Sequence, residues 1–138
     1  MTEGIVNGLF QALEGWNLLL IIFGTLLGII FGSMPGLTAT MGLALLVPFT
    51  FGMEPAAGLI MLAGIYVGAM YADAIPAILI NTPGTPAAIA TTFDGFPLAQ
   101  KGKAQEALVT AAFASFIGSI VANIVLATLA EPLAELSL

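Results

Sequence analysis

The chain has 138 residues, 59% of them hydrophobic and 7% charged, and its mean hydropathy is +1.10. Soluble domains carry about 25% charged residues, so there is too little polar material here to cover a water-exposed surface, and lipid must be the solvent for much of the chain. The net charge of −6 comes from eight carboxylates against two lysines, with no Arg, His or Cys; this excludes the clustered cations that nucleic acid or anionic lipid would require, and the usual ligands of zinc, haem or thiolate chemistry.

The N-terminus lacks the basic residues of a cleaved leader and carries Glu3 and Glu14 instead. Ile5, Val6, Leu9, Phe10 and Leu13 recur at helical spacing, with Asn7, Gln11 and Glu14 mostly opposite. Residues 1–15 therefore read either as an amphipathic helix lying on the membrane, anchored by Trp16, or as an extension of the first span. Trp16 to Phe31 is uncharged and continues apolar almost to Met34, close to the ~20 residues a bilayer requires. Gly32-Ser33-Met34-Pro35-Gly36 interrupts it, and a shorter apolar run follows from Leu37 to Phe51. Gly52-Met53-Glu54-Pro55 is a turn whose proline suits the first position of a new helix. That helix runs through Tyr71 and on towards Ile80, until Asn81-Thr82-Pro83-Gly84-Thr85-Pro86 ends it. A short apolar piece, Ala87 to Thr92, leads to Asp94-Gly95-Phe96-Pro97, which has turn chemistry. Pro97 to Glu106 is the clearly water-soluble stretch. The last span runs from Ala107 to Ala130 and is expected to stop at Glu131-Pro132.

The expected fold is an all-α membrane protein, one transmembrane domain over residues 1–138, with two Pro-Gly-broken segments of hairpin or re-entrant form. Lys101 and Lys103 share one short loop, and basic loops stay cytoplasmic. Gly24, Gly28 and Gly32 are spaced by four, as are Gly64 and Gly68, and Ala111, Ser115, Ser119 and Asn123 form a small or polar stripe. Helices in lipid associate by close backbone approach and interhelical hydrogen bonds, so these stripes should face other helices, with the Asn123 amide bonded to a neighbour.

The breaks carry the chemistry. In hydrocarbon an unsatisfied backbone group costs several kcal/mol, so non-helical backbone at membrane depth must be buried in protein or line a watery cavity. Secondary transporters place such broken-helix ends around their substrate. In the second break, Thr85-Pro86 is a good N-cap followed by Pro at the first helical turn, and Thr82-Pro83 offers a similar start. A helix start leaves amides free with a partial positive charge, and Asn81, Thr82 and Thr85 add neutral donors and acceptors. The segment reads as a place to hold an anion without arginine, or as a polar loop at the membrane surface. The first break has the same character, with Ser33, Pro35, Gly36, Thr38 and Thr40 around its Pro-Gly pair; it is either a weak internal repeat or a kink whose hydroxyls bond their own backbone. Asp73 lies between apolar stretches. It is either a proton or cation site within the membrane or the cap of a helix that Pro76 begins.

The runs GSMPGLTAT, GIYVGAMY and AILINTPGTPAAIATTFDGFPLAQKGKAQEAL resemble the large membrane subunit of the tripartite tricarboxylate transporter family (TctA-like), over about Leu18 to Leu138. The resemblance implies a bacterial inner-membrane permease importing di- or tricarboxylates such as citrate. It further implies coupling to a Na⁺ or H⁺ gradient, no other cofactor, and two partners: a small membrane subunit and a periplasmic solute-binding protein. On this reading Asn81, Thr82, Gly84 and Thr85 form one half of the substrate site, with Ser33, Pro35, Gly36 and Thr38 nearby. Family members are longer, so the chain is expected to be an N-terminal portion, and Ala72-Asp73-Ala74 stands where many members have a Gly-Gly-Ser-like stretch. The alternative is a non-transporting membrane scaffold. A membrane enzyme is not expected, because no acid/base pair stands beside a nucleophile. A reporter fused into the Gly102 loop should read as cytoplasmic; a periplasmic signal would reverse the orientation.

Overall fold

The computed structural model describes residues 2–137, which form seven α-helices in chain order. Helix α1 is Thr2–Ala12, α2 Gly15–Ser33, α3 Ala39–Thr50, α4 Pro55–Ala72, α5 Ala74–Ile80, α6 Pro86–Gln100 and α7 Ala104–Ser137. Three stretches are long and apolar enough to cross a membrane: Gly15–Ser33, Pro55–Ile80, which joins α4 to α5, and Ala104–Leu129. Helix α3 has 12 residues and spans only ~18 Å at 1.5 Å per residue, well short of a ~30 Å hydrocarbon core.

Helices α2 and α4 form the frame, and glycine sets their separation. A Cβ at Gly24 would lie against the main-chain oxygen of Met61, at Gly28 against that of Ile65, and at Gly32 against that of Ala69. From the other side, a Cβ at Gly64 or Gly68 would strike the main-chain oxygens of Ile21 or Thr25. Both sets of contacts advance by four residues on each helix in the same sense, so α2 and α4 run parallel. The expected small-residue faces on these two helices do meet, backbone against backbone, in the manner of close helix packing in lipid. At this spacing Cα–H groups approach carbonyl oxygens directly, a weak attraction repeated along the ladder.

Below the ladder, Leu20, Ala57, Met61 and Ile65 form the buried core, with Leu27, Leu43, Leu46, Met53 and Leu62 packed around it. Helix α3 connects the end of α2 to the start of α4 and packs beside the pair, its Gly42 set against the Phe31 ring. Asn17, 5% exposed, donates from Nδ2 to the Gln11 carbonyl at 2.8 Å and so ties α1 to α2. The α1 residues Val6, Leu9 and Phe10, together with Leu13, are exposed. Pro55 opens α4 at its first turn, as expected.

Two local expectations are corrected. Asp94-Gly95-Phe96-Pro97 is not a turn but lies inside α6, because a close fit of Gly95 on Ile78 holds the segment helical against its turn propensity. Helix α7 does not stop at Glu131-Pro132 but continues to Ser137; a proline removes one amide donor and weakens a helix there without ending it among good helix formers.

Much of α7 remains exposed, including Phe113, Phe116, Ile117 and Ile124, and its predicted neighbour contact is absent at Asn123. That amide donates to Ser119 O of its own helix at 2.9 Å.

The ladder gives one substitution opposite signs at two places. Gly28→Ala pushes a methyl into the α4 backbone and should destabilise by about 1–3 kcal/mol as overpacking does. Gly118→Ala, with nothing within 4 Å, should be neutral or slightly stabilising through helix propensity. Reversible denaturant unfolding in detergent measures both.

Candidate functional site

Both breaks are built alike up to a point. Each ends one helix, passes through Pro-Gly, and starts the next helix on a threonine N-cap. Thr38 Oγ1 accepts from Met41 N at 3.3 Å and Thr85 Oγ1 accepts from Ala88 N at 3.4 Å, each satisfying one orphan amide of the helix that follows. The two glycines, however, are there for different reasons. Gly36 has φ +88° in a turn closed by Leu37 N donating to Met34 O at 3.1 Å; Pro then Gly at the centre is the type II pattern, where a Cβ would be strained. Gly84 has no such backbone demand. Its missing Cβ leaves room for the Asp73 carboxylate, which would lie 2.7 Å from it, and for the Leu37 carbonyl at 3.4 Å.

That approach is the centre of the site. Asp73 is 4% exposed and stands at the junction of α4 and α5, its own backbone still in the right-handed helical region at φ −60° and ψ −25°. Pro76 has no N–H for the Ala72 carbonyl and its ring crowds that turn, which loosens the span there. The Asp73 carboxylate does not cap the helix it precedes: α5 begins at Ala74 with no side-chain cap bond. Instead Oδ1 accepts from Gly84 N at 2.7 Å and Oδ2 accepts from Thr85 Oγ1 at 2.5 Å. The carboxyl group at the start of α6 is thus supplied by the chain itself.

The 81–85 segment consequently returns to the start of α5. Asn81 begins the return in the left-handed conformation, φ 54°, so that its own N–H and that of Thr82, the latter at 3.2 Å, converge on Pro76 O. This is an αL helix cap, which Asn tolerates better than other side-chain-bearing residues. The Thr82 hydroxyl donates to Ile80 O at 3.1 Å, and the Ser33 hydroxyl to Ile30 O at 3.0 Å.

Of the residues singled out from sequence, Gly84 and Thr85 therefore sit on Asp73, and Leu37, between Gly36 and Thr38, touches the same point. Asn81, Thr82, Pro35 and Gly36 are exposed beside it, while Ser33 and Thr38 are half-buried. The Asp73 contact was not readable beforehand, since its partners lie 11 and 12 residues on; the left-handed role of Asn81 was, from an Asn directly after an apolar helix and two residues before a proline.

Next to Thr85, a cavity of about 390 Å³ opens between α5, α6 and α7, with Thr91, Asp94, Thr110 and Ser115 among its walls. A second, of about 640 Å³, lies between α7 and the α2–α4 pair and is lined by Tyr66, Tyr71 and Ser119 among mostly apolar neighbours. Among the described residues no group of His, Cys, Asp or Glu is arranged to hold a metal ion.

A family model described as "Tripartite tricarboxylate transporter TctA family" matches residues 18–138. Among curated proteins, the chain is 44% identical over 131 residues to the "Uncharacterized 52.8 kDa protein in TAR-I ttuC' 3'region" of Agrobacterium vitis, a match covering 95% of this chain and 26% of that relative. The chain thus spans about a quarter of that relative's length. No solved structure matches.

Thr85 serves both as cap and as partner of a buried carboxylate. Thr85→Val should cost about 1–2 kcal/mol for the cap plus about 1–3 kcal/mol for the acceptor left short of a donor. Thr85→Ser should recover most of that loss, and comparing the two in detergent unfolding separates hydroxyl from shape.

Proposed function

The chain belongs to the tripartite tricarboxylate transporter TctA family, and from that premise we propose that it forms part of a secondary, ion-coupled permease importing di- or tricarboxylates across a bacterial inner membrane. It would do so as a multi-pass component with a small membrane subunit and a periplasmic binding protein, its Lys101–Lys103 loop on the cytoplasmic side. The observation that carries this reading is the meeting of the two breaks: Gly84 of the second lies against the Leu37 carbonyl of the first. Secondary transporters place paired broken-helix ends around their substrate, and the meeting of the two breaks supports the same reading here.

Within that arrangement the Asn81 amide and the Thr82 hydroxyl, both exposed, make the first contacts to a carboxylate, with Ser33 and Thr38 on the opposing turn. Pro35 and Gly36 shape that turn. Gly84 N–H and the Thr85 hydroxyl complete the half-site once Asp73 gives them up. The neighbouring cavity is a poorer place for the substrate, because Asp94 on its wall repels an anion.

Asp73 is the group we assign to the coupling ion, and we read that ion as a proton. Each of its oxygens accepts one hydrogen bond, from Gly84 N or the Thr85 hydroxyl, and keeps a further lone pair; with the proton on Oδ2, the Thr85 hydroxyl accepts from it and turns its own hydrogen away, while still accepting from Ala88 N. A second reading, a scaffold that assembles with other subunits without transporting, is supported by the open apolar face of α7.

Asn81→Gly separates contact from backbone, since glycine keeps the left-handed cap and removes only the amide. In the complete permease the variant should insert normally and lose carboxylate uptake at least tenfold. Unchanged uptake would remove Asn81 from the site, and a complete system with neither carboxylate flux nor binding would favour the scaffold.

A further inference from the structure

A carboxylate 4% exposed needs a counter-charge, hydrogen bonds or neutralisation, because an isolated buried charge is costly. Among the described residues Asp73 has no cationic partner. The chain's two basic residues, Lys101 and Lys103, lie beyond the far end of α6, whose 15 residues put them ~22 Å from the Thr85 end. Lys103 is moreover paired with Glu106 at 3.2 Å. What holds the charge is two hydrogen bonds and two opposed helix ends. The start of α6 favours an anion at Asp73, while the C-terminus of α4, which Asp73 caps, disfavours one.

Those two bonds also tie the 81–85 segment to the junction of α4 and α5. Gly84 and Thr85 are bonded through Asp73, and Gly84 lies on the Leu37 carbonyl of the other break. Asn81 and Thr82, both exposed, are fastened to α5 by their amides on Pro76 O and by the Thr82 hydroxyl on Ile80 O, while Thr85 also caps α6. Protonation would replace two charge-assisted bonds by neutral ones of roughly half the strength and would reverse the Thr85 hydroxyl.

We propose that Asp73 is a proton-operated latch: ionised, it clamps the 81–85 segment onto the α4–α5 junction and the Pro35–Thr38 turn, and protonated, it lets that segment move. The proton arrives on Oδ2 and leaves from it, so no other reactant is involved. The inference rests on the reading that Asp73 takes up a proton, and it does not require a carboxylate to be the cargo. Asp73 acts here as a positioning residue. The other titratable groups on the elements around it are Tyr66 and Tyr71 of α4, and Asp94 of α6, nine residues beyond Thr85 and so about 13 Å along that helix. Helix α7, which packs on α4 and α5, carries Glu106 at its start, paired with Lys103, and Glu131 and Glu135 towards its end; helix α5, the 81–85 segment and the Pro35–Thr38 turn carry none.

The absence of cysteine makes a two-site spin-label measurement direct. Cysteines replacing Thr82 and Met34, both exposed, carry the labels on the second and first break, and the protein is titrated in lipid nanodiscs without substrate. The interspin distance distribution should be narrow at alkaline pH and broaden or shift on acidification. Asp73→Asn, a neutral isostere, should be broad at both ends of the titration. Should that variant fail to insert, Thr85→Val gives the same readout, with Thr85→Ser restoring the narrow, titrating distribution. A narrow Asp73→Asn distribution would overturn the latch itself. A wild-type distribution indifferent to pH beside a broad Asp73→Asn one would overturn its operation by protons. Neither result depends on carboxylate uptake, so the failure of the transport reading shows separately.

Discussion

A polar group buried in protein cannot bond water and must find its partners within the fold. The span from Pro55 to Ile80 is interrupted at Asp73, and the backbone leaves the helix after Ile80. One carboxylate addresses both: Asp73 lies at the first interruption and takes its donors from the second, Gly84 and Thr85. Its burial is affordable because both of its oxygens are bonded. The return of the 81–85 segment, the starting point of α6 and the meeting with the Leu37 carbonyl all follow from that one demand.

The glycine ladder decides where this happens. Parallel packing of α2 on α4 places Gly32 at Ala69, so the two helices reach their breaks at the same level. A ladder offset by one turn would separate the Pro35–Thr38 turn from Asp73 by roughly 5 Å, and Gly84 would no longer touch both. The core residues below, Leu20, Met61 and Ile65, add apolar burial to the same register.

The sequence was most legible where chemistry is local. Apolar runs of sufficient length marked the spans, Thr85-Pro86 marked a helix start, and glycines at four-residue spacing marked the closest packing, because each signal depends on a few consecutive residues. Legibility failed where a distant contact outweighs a local preference. Asp94-Gly95-Phe96-Pro97 has the residues of a turn, but Ile78 fixes it in a helix. Asp73 had two local explanations, and its bonds go to residues beyond an intervening helix. The two Pro-Gly pairs look equivalent in sequence, yet one glycine answers a backbone angle and the other a neighbouring side chain. Only the fold distinguishes them.

The α2–α4 ladder also limits how the molecule can deform. An interface of main chain on main chain has few rotamers to exchange, and adjacent glycines leave no side chains to repack around a small displacement. Such a pair slides only by whole turns, as one helix ratchets past another, and is stiff against anything less. The ladder stops at Gly32 and Ala69, one residue before Ser33 on one helix and four before Asp73 on the other. Compliance therefore begins where the interlocking ends, at the two breaks.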